Sequence, residues 1–191
     1  MGKRSTFQRR KQDRYLTFDR RAGQALAPHL TFGCRFWEPC AGRGDLVDQL
    51  QSYGAQCVVA TDIQPEGAGI FRSDALQATR EDVDSTGVTH IITNPPWTRD
   101  ILHQMIWQFM HMRPTWLLFD ADWPHTIQDD LARRQGLKTV PELMAHCVRI
   151  VSVGRLCWIE GTNQTGKDNC AWYLFDARHT GSTEFIPRQA A

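Results

Sequence analysis

The 191-residue chain is 41% hydrophobic and 23% charged, the balance of one soluble domain of ordinary size, which excludes a disordered or collagen-like chain. No segment approaches the ~20 consecutive apolar residues of a membrane span, and no apolar run follows the basic N-terminus as in a secretory signal, so a cytoplasmic location without a membrane partner is expected. The six cysteines, at 34, 40, 57, 147, 157 and 170, form no Cys-x-x-Cys pair and no cluster of zinc spacing; no metal is expected, and the thiols read as small core residues.

The net charge of +1 is unevenly spread: residues 1–21 carry +6 and the remainder −5. Residues 1–13 read as a flexible basic arm ahead of a single domain over 14–191. Such an arm suits a polyanionic partner, a nucleic acid, whose phosphates Lys3, Arg4, Arg9, Arg10 and Lys11 would contact. A solubilising tail is the alternative reading of the same composition.

Apolar spacing begins at Tyr15, and Leu26 and Leu30 predict a short helix. Cys34-Arg35-Phe36-Trp37-Glu38 predicts a strand that opens onto Pro39-Cys40-Ala41-Gly42-Arg43-Gly44. Helical spacing follows in Leu46, Val47 and Leu50 and stops at Gly54. Cys57 to Asp62 is a β-branched run ending in a carboxylate. Strand, glycine turn, helix and strand make a right-handed βαβ unit with a parallel sheet.

Strands are predicted again over 70–72, 90–93 and 116–119, and a helix over 101–112 with Ile101, Met105, Ile106 and Phe109 on one face. One further helix is expected within 127–145. Strands over 149–159 and 170–175, joined by the polar loop 160–169, predict an antiparallel hairpin at the sheet edge. The architecture is an α/β sandwich with ligands expected beyond the carboxyl ends of its strands.

Gly42 and Gly44 would let the backbone pass close to a ligand, and Asp62 at the tip of the next strand suits the paired hydroxyls of a ribose. A third glycine is missing at Leu46–Val47, so a dinucleotide cradle is not indicated, and no Gly-Lys-Ser/Thr points to a nucleoside triphosphate. The carboxylate of Glu38 would repel phosphate but hold an ammonium. S-adenosylmethionine carries an ammonium and no phosphate. Asp74 could accept from the adenine amino group of that cofactor, or serve as an ordinary loop cap.

Asn94-Pro95-Pro96-Trp97 directly follows the fourth strand. Two prolines make a stiff turn, but they do not explain an asparagine at the active edge or the aromatic after them. A planar amine needs acceptors for its two hydrogens and a wall for its ring. The Asn94 side chain and the Pro95 carbonyl supply the first, and Trp97 the second. Arg99 and Lys167 read either as phosphate contacts or as solvated loop residues, and Trp123 as core or rim.

Glu-Pro-Cys-Ala-Gly-Arg-Gly, Thr-Asp-Ile and Asn-Pro-Pro-Trp, in that order, resemble the class I S-adenosylmethionine-dependent amino methyltransferases, most closely the adenine-specific DNA enzymes. The resemblance spans roughly residues 15–176. It implies a Rossmann-like sandwich with a mostly parallel seven-stranded sheet. Glu38, Pro39, Cys40, Ala41, Gly42, Gly44, Asp62 and Ile63, with Asp74, Asn94 and Thr17 of the opening Tyr15-Leu16-Thr17-Phe18 stretch, would hold S-adenosyl-L-methionine. Asn94, Pro95, Pro96 and Trp97 would carry the transfer. Cys40 stands where the family often has Phe, and Phe18 where it usually has Pro.

No sizeable target-recognition region is expected within 15–176, because the interval from Trp123 to Cys147 holds only helix-sized sequence. Base-edge readout needs several side chains in a groove. A short or relaxed sequence preference, a separate specificity partner or a homodimer in place of a monomer is therefore expected. The basic arm favours nucleic acid over protein but does not separate RNA from DNA; DNA is expected over RNA from the resemblance and because no added RNA-binding module is recognised. An RNA base or a protein glutamine amide presents the same planar amine, and a non-catalytic scaffold subunit would share the fold.

Overall fold

A computed structural model describes residues 15–126, 129–162 and 164–189. The basic arm, with Lys3, Arg4, Arg9, Arg10 and Lys11, lies outside the described residues. Helix α1 (Arg21–Leu26) leads through a 3₁₀ turn to β1 (Arg35–Glu38), and α2 (Asp45–Ser52) carries the chain to β2 (Gln56–Asp62). Strand β3 (Phe71–Arg72), α3 (Arg80–Thr86), β4 (His90–Thr93), α4 (Arg99–Met112) and β5 (Thr115–Asp120) continue the alternation. Helices α5 (Asp129–Arg134) and α6 (Val140–Met144) precede β6 (Cys147–Gly154), β7 (Cys170–Phe175) and β8 (Glu184–Ile186).

Among the described residues the strands form one sheet in the order β3-β2-β1-β4-β5-β7-β6-β8. Strands β1 to β5 run parallel, and β7 is antiparallel to both β5 and β6. The expected hairpin is present as the β6–β7 pair, but β6 is not the edge. The sheet has an eighth strand, because β8 adds parallel to β6 through Ile150↔Phe185. Its three residues bury little and show no alternation that a sequence reading could use.

The helix expected within 127–145 is instead two short ones. Thr139 and Glu142 cap each other reciprocally and Pro141 sits in the first turn, so the chain starts a new helix at Val140.

Both faces of the sheet are covered, so successive strand residues enter different cores. Ile91, Leu117, Phe119, Tyr173 and Phe175 pack with Leu102, Ile106 and Phe109 of α4 and Leu143 of α6. Ile92, Trp116, Leu118 and Trp172 face the other way, onto Leu26 of α1 and Leu46 and Leu50 of α2. The thiol of Cys170 is buried there and that of Cys147 in the first core; burial pushes both up to about 12, so they remain protonated core groups. Among the described residues, no helix is long and apolar enough to cross a membrane.

Strand order reverses between β1 and β4, which lie side by side through Trp37↔Ile91. In such sheets a crevice opens at the carboxyl ends where the order reverses. Glu38 ends β1, and Asn94 is the first residue after β4.

Candidate active site

A cleft of about 1230 Å³ runs along this edge of the sheet. Single-ligand pockets commonly occupy ~300–1,000 Å³, so there is room for a cofactor and a planar target side by side. Glu38, Pro39, Cys40, Ala41, Gly42, Asp62, Ile63 and Asp74 line one part, and Asn94, Pro95, Pro96, Trp97, Arg99 and Lys167 another. Thr17 also faces the cleft; Gly44 caps α2 just behind it.

The glycine turn is built as its sequence requires. Gly42 and Gly44 have φ of +55° and +95°, where a side chain is strained, and a Cβ on Gly42 would meet Leu16 at 2.8 Å. The turn is pinned to β2 because Gly42 N–H donates to Asp62 Oδ2 at 2.8 Å. Asp62 Oδ1 accepts from Gln64 N–H at 2.7 Å, so each carboxylate oxygen keeps a lone pair. Ile63, 58% exposed, projects from the β2 tip as an apolar surface beside the cleft. Asp74 accepts from Leu76 N–H at 3.0 Å as a cap, yet it is exposed and borders the cleft.

Glu38 is a buried carboxyl of the cleft. It is 2% exposed, and its Oε2 has no hydrogen-bond partner. Burial holds its carboxyl well above the usual carboxylate range, with the charges of Asp62 and Asp45 acting in the same direction. A buried polar atom without a partner is costly and commonly marks a site where a ligand completes the bonding.

Asn94 is the opposite case. Its Nδ2 donates to the Tyr15 carbonyl at 3.3 Å and the Thr17 hydroxyl at 3.0 Å, and its Oδ1 accepts from Trp97 Nε1–H at 3.1 Å. A carbonyl and an indole N–H at opposite ends leave only one orientation of the amide. Thr17, expected among the cofactor residues, thus has its hydroxyl on Asn94, and its backbone carbonyl accepts from Gln49 Nε2.

Trp97 meets Trp158 edge to face at 5.7 Å between centroids, and Tyr15 also meets Trp158, at 6.2 Å. Tyr15 and Trp158 are the site residues that sequence reasoning missed. Trp158 lies in the loop between β6 and β7, and only the sheet order carries that loop over Asn-Pro-Pro-Trp. Half-buried Asp120, at the end of β5, also lines the cleft; burial raises its pKa, and the charge of Asp168 adds to this, against the hydrogen bond it accepts from Asp122 N–H. Trp123 is core at 3% exposure, donating Nε1–H to His103 Nε2 at 3.1 Å, and it also lines the cleft.

The same loop is tied down at two further points. Arg43 of the glycine turn makes a bidentate bridge to Glu160 at 2.8 and 3.1 Å, and Asp19 accepts from Cys157 N–H at 2.8 Å.

No protein-family model matches the chain, and no curated protein matches its sequence. Solved structures do match it in backbone. One is a candidate class I S-adenosylmethionine-dependent methyltransferase from Listeria monocytogenes, with TM-score 0.53 and 10% identity over 91% of this chain and 66% of that one. The fold is that of the class I methyltransferases. A candidate RNA methyltransferase from Pyrococcus horikoshii matches with TM-score 0.51 and 11% identity over 81% of this chain and 80% of that one. The modification subunit of a candidate type I restriction enzyme from Vibrio vulnificus YJ016 matches with TM-score 0.51 and 12% identity over 92% of this chain and 47% of that one. The chain therefore spans about half the length of that subunit and four fifths of the Pyrococcus protein.

Proposed function

We propose that this protein is an S-adenosylmethionine-dependent methyltransferase acting on the exocyclic 6-amino group of adenine in DNA, with a short or relaxed sequence preference. The observation that carries the reading is the pairing of two half-sites across the β1/β4 crevice. Glu38, whose Oε2 lacks a partner, lies on one side, and the locked Asn94 with Pro95, Pro96 and Trp97 on the other.

The residues present fit the cofactor. Glu38 Oε2 needs a donor and would take the ammonium, while Asp62 has lone pairs left for the ribose hydroxyls. Pro39, Cys40, Ala41, Gly42 and Gly44 would frame the methionine part; Ile63 would flank the adenine, whose amino group Asp74 would meet. When bound, S-adenosylmethionine supplies an electrophilic methyl on a sulfonium.

The chain's own contribution is position and polarity. Asn94 Oδ1 and the Pro95 carbonyl accept the two amine hydrogens, pull the nitrogen toward tetrahedral geometry and stabilise the positive charge that develops there. Trp97 and Trp158 bound the space for the base, which must leave a duplex stack at a cost of a few kcal/mol. Arg99 and Lys167 at the rim, and Lys3, Arg4, Arg9, Arg10 and Lys11 of the arm, would contact phosphates. The C–S bond breaks as the C–N bond forms, leaving a neutral thioether, and the methylated nitrogen is acidic enough to give its extra proton to solvent, so no strong general base is required.

Likeness to a protein named as a restriction-enzyme modification subunit supports a DNA substrate, and likeness to one named as an RNA methyltransferase supports RNA as the second reading. The deciding experiment incubates the protein with S-adenosylmethionine and double-stranded DNA, single-stranded DNA or RNA, then weighs the digested nucleosides. N6-methyladenine from DNA is expected; methyl on RNA alone selects the second reading. Cofactor binding without transfer to any nucleic acid overturns both.

A further inference from the structure

The aromatic residue of the Asn-Pro-Pro-Trp turn does more here than offer a ring. Asn94 has two amide hydrogens and both are taken, by the Tyr15 carbonyl at 3.3 Å and the Thr17 hydroxyl at 3.0 Å. Its carbonyl has two lone pairs, and Trp97 Nε1–H occupies one at 3.1 Å. One lone pair is left over, in a direction fixed by the other three bonds. The Trp97 ring cannot rotate away from this contact freely, because Trp158 abuts it edge to face at 5.7 Å. Thr17 in turn is buried, and its own carbonyl is held by Gln49 Nε2 of α2 at 2.6 Å. The amide therefore rests on both the helix behind the glycine turn and the segment ahead of α1.

We infer that Trp97 and Thr17 are positioning residues that act through Asn94: the indole N–H and the hydroxyl set the one free carbonyl lone pair to accept a hydrogen of the target amine. This rests on the proposed amino-group transfer for its consequence, but not for the network itself. A phenylalanine at position 97 keeps an aromatic wall and loses the donor, and no rotamer of it restores the bond. Freed on that side, Asn94 can turn its lone pair away from the amine. That loss falls on the transfer step, where the geometry of the acceptor decides the rate, more than on ground-state binding.

W97F is expected to lower kcat about tenfold, equivalent to about 1.4 kcal/mol of barrier, with KM for the nucleic acid within about threefold and cofactor affinity unchanged. W97A, which also removes the wall, is expected to raise KM as well. T17V should lower kcat like W97F, and T17S should restore it. Nitrogen–proton correlation spectra of the free protein read the network without any turnover. The indole signal lost in W97F identifies Trp97; T17V should shift that signal together with the Asn94 side-chain amide pair, and T17S should return them. Wild-type kcat in W97F, or Asn94 and Trp97 signals unmoved by T17V, overturns the inference. A shifted network in a protein that methylates no nucleic acid overturns the functional reading and leaves the positioning of Asn94 standing.

Discussion

Replacing Glu38 by glutamine separates what this residue does for folding from what it does for binding. The carboxyl is 2% exposed with Oε2 unpartnered, and burial, Asp62 and Asp45 all raise its pKa. In the unfolded chain it titrates near 4.3. Between that value and its raised folded value the native state binds more protons than the unfolded one, so stability falls as pH rises, by about 1.4 kcal/mol per pH unit within the window. Glutamine cannot ionise. E38Q is therefore expected to match the wild-type chain near pH 4 and to melt at a higher temperature at pH 7, by several degrees for each ~1–2 kcal/mol recovered.

Binding should move the other way. A charge-assisted hydrogen bond contributes about 1.5–3 kcal/mol, so loss of the carboxylate should weaken S-adenosylmethionine binding by roughly 10- to 150-fold. Because the cation needs an ionised partner, wild-type affinity should rise with pH and one proton should be released per cofactor bound. Calorimetry in two buffers of different ionisation enthalpy measures that proton, and E38Q should release none. Equal melting temperatures and equal affinities for the two chains at pH 7 would refute the account of Glu38 altogether.

Asn94→Ala should cut methyl transfer by about 10²–10³ while cofactor affinity by calorimetry stays within about threefold; a scaffold subunit would show no such split. Removing the ring that backs Trp97, Trp158→Ala should raise KM for nucleic acid about tenfold, in line with ~1–3 kcal/mol for a base–aromatic stack. Glu160→Gln loosens the bridge from the β6–β7 loop to Arg43, whose partners are both substantially exposed. The melting temperature should hardly move while the cofactor dissociation rate rises, measured by stopped-flow displacement. Leu118→Ala, at a position with no exposure in the core under α1 and α2, should cost about 2–5 kcal/mol in chemical denaturation without altering the site.

Local patterns were enough to read the alternation from β1 to β5, α3 apart, and the two halves of the candidate site, but not the second helix after β5 or strand β8. Runs such as His90–Thr93, the periodic face of Met105, Ile106 and Phe109, and glycines at 42 and 44 are local signals, because strand, helix and tight turn each restrict side chains a few residues apart. They sufficed to put Glu38, Asp62 and Asn94 at strand ends. Tertiary structure alone decided what those residues touch. Asn94 is held from 77 and 79 positions away by Thr17 and Tyr15, and Gly42 is joined to Asp62 across the β1–β2 crossover. Trp158 reaches Trp97 only because β7 inserts between β5 and β6. Strand β8, three weakly buried residues without alternation, exists because β6 still had an unpaired edge, a demand made by the assembled sheet and by nothing within Glu184–Ile186. The isolation of Glu38 Oε2 is likewise a property of the packing around it, since burial and the absence of a partner are settled only when every neighbouring element has taken its place.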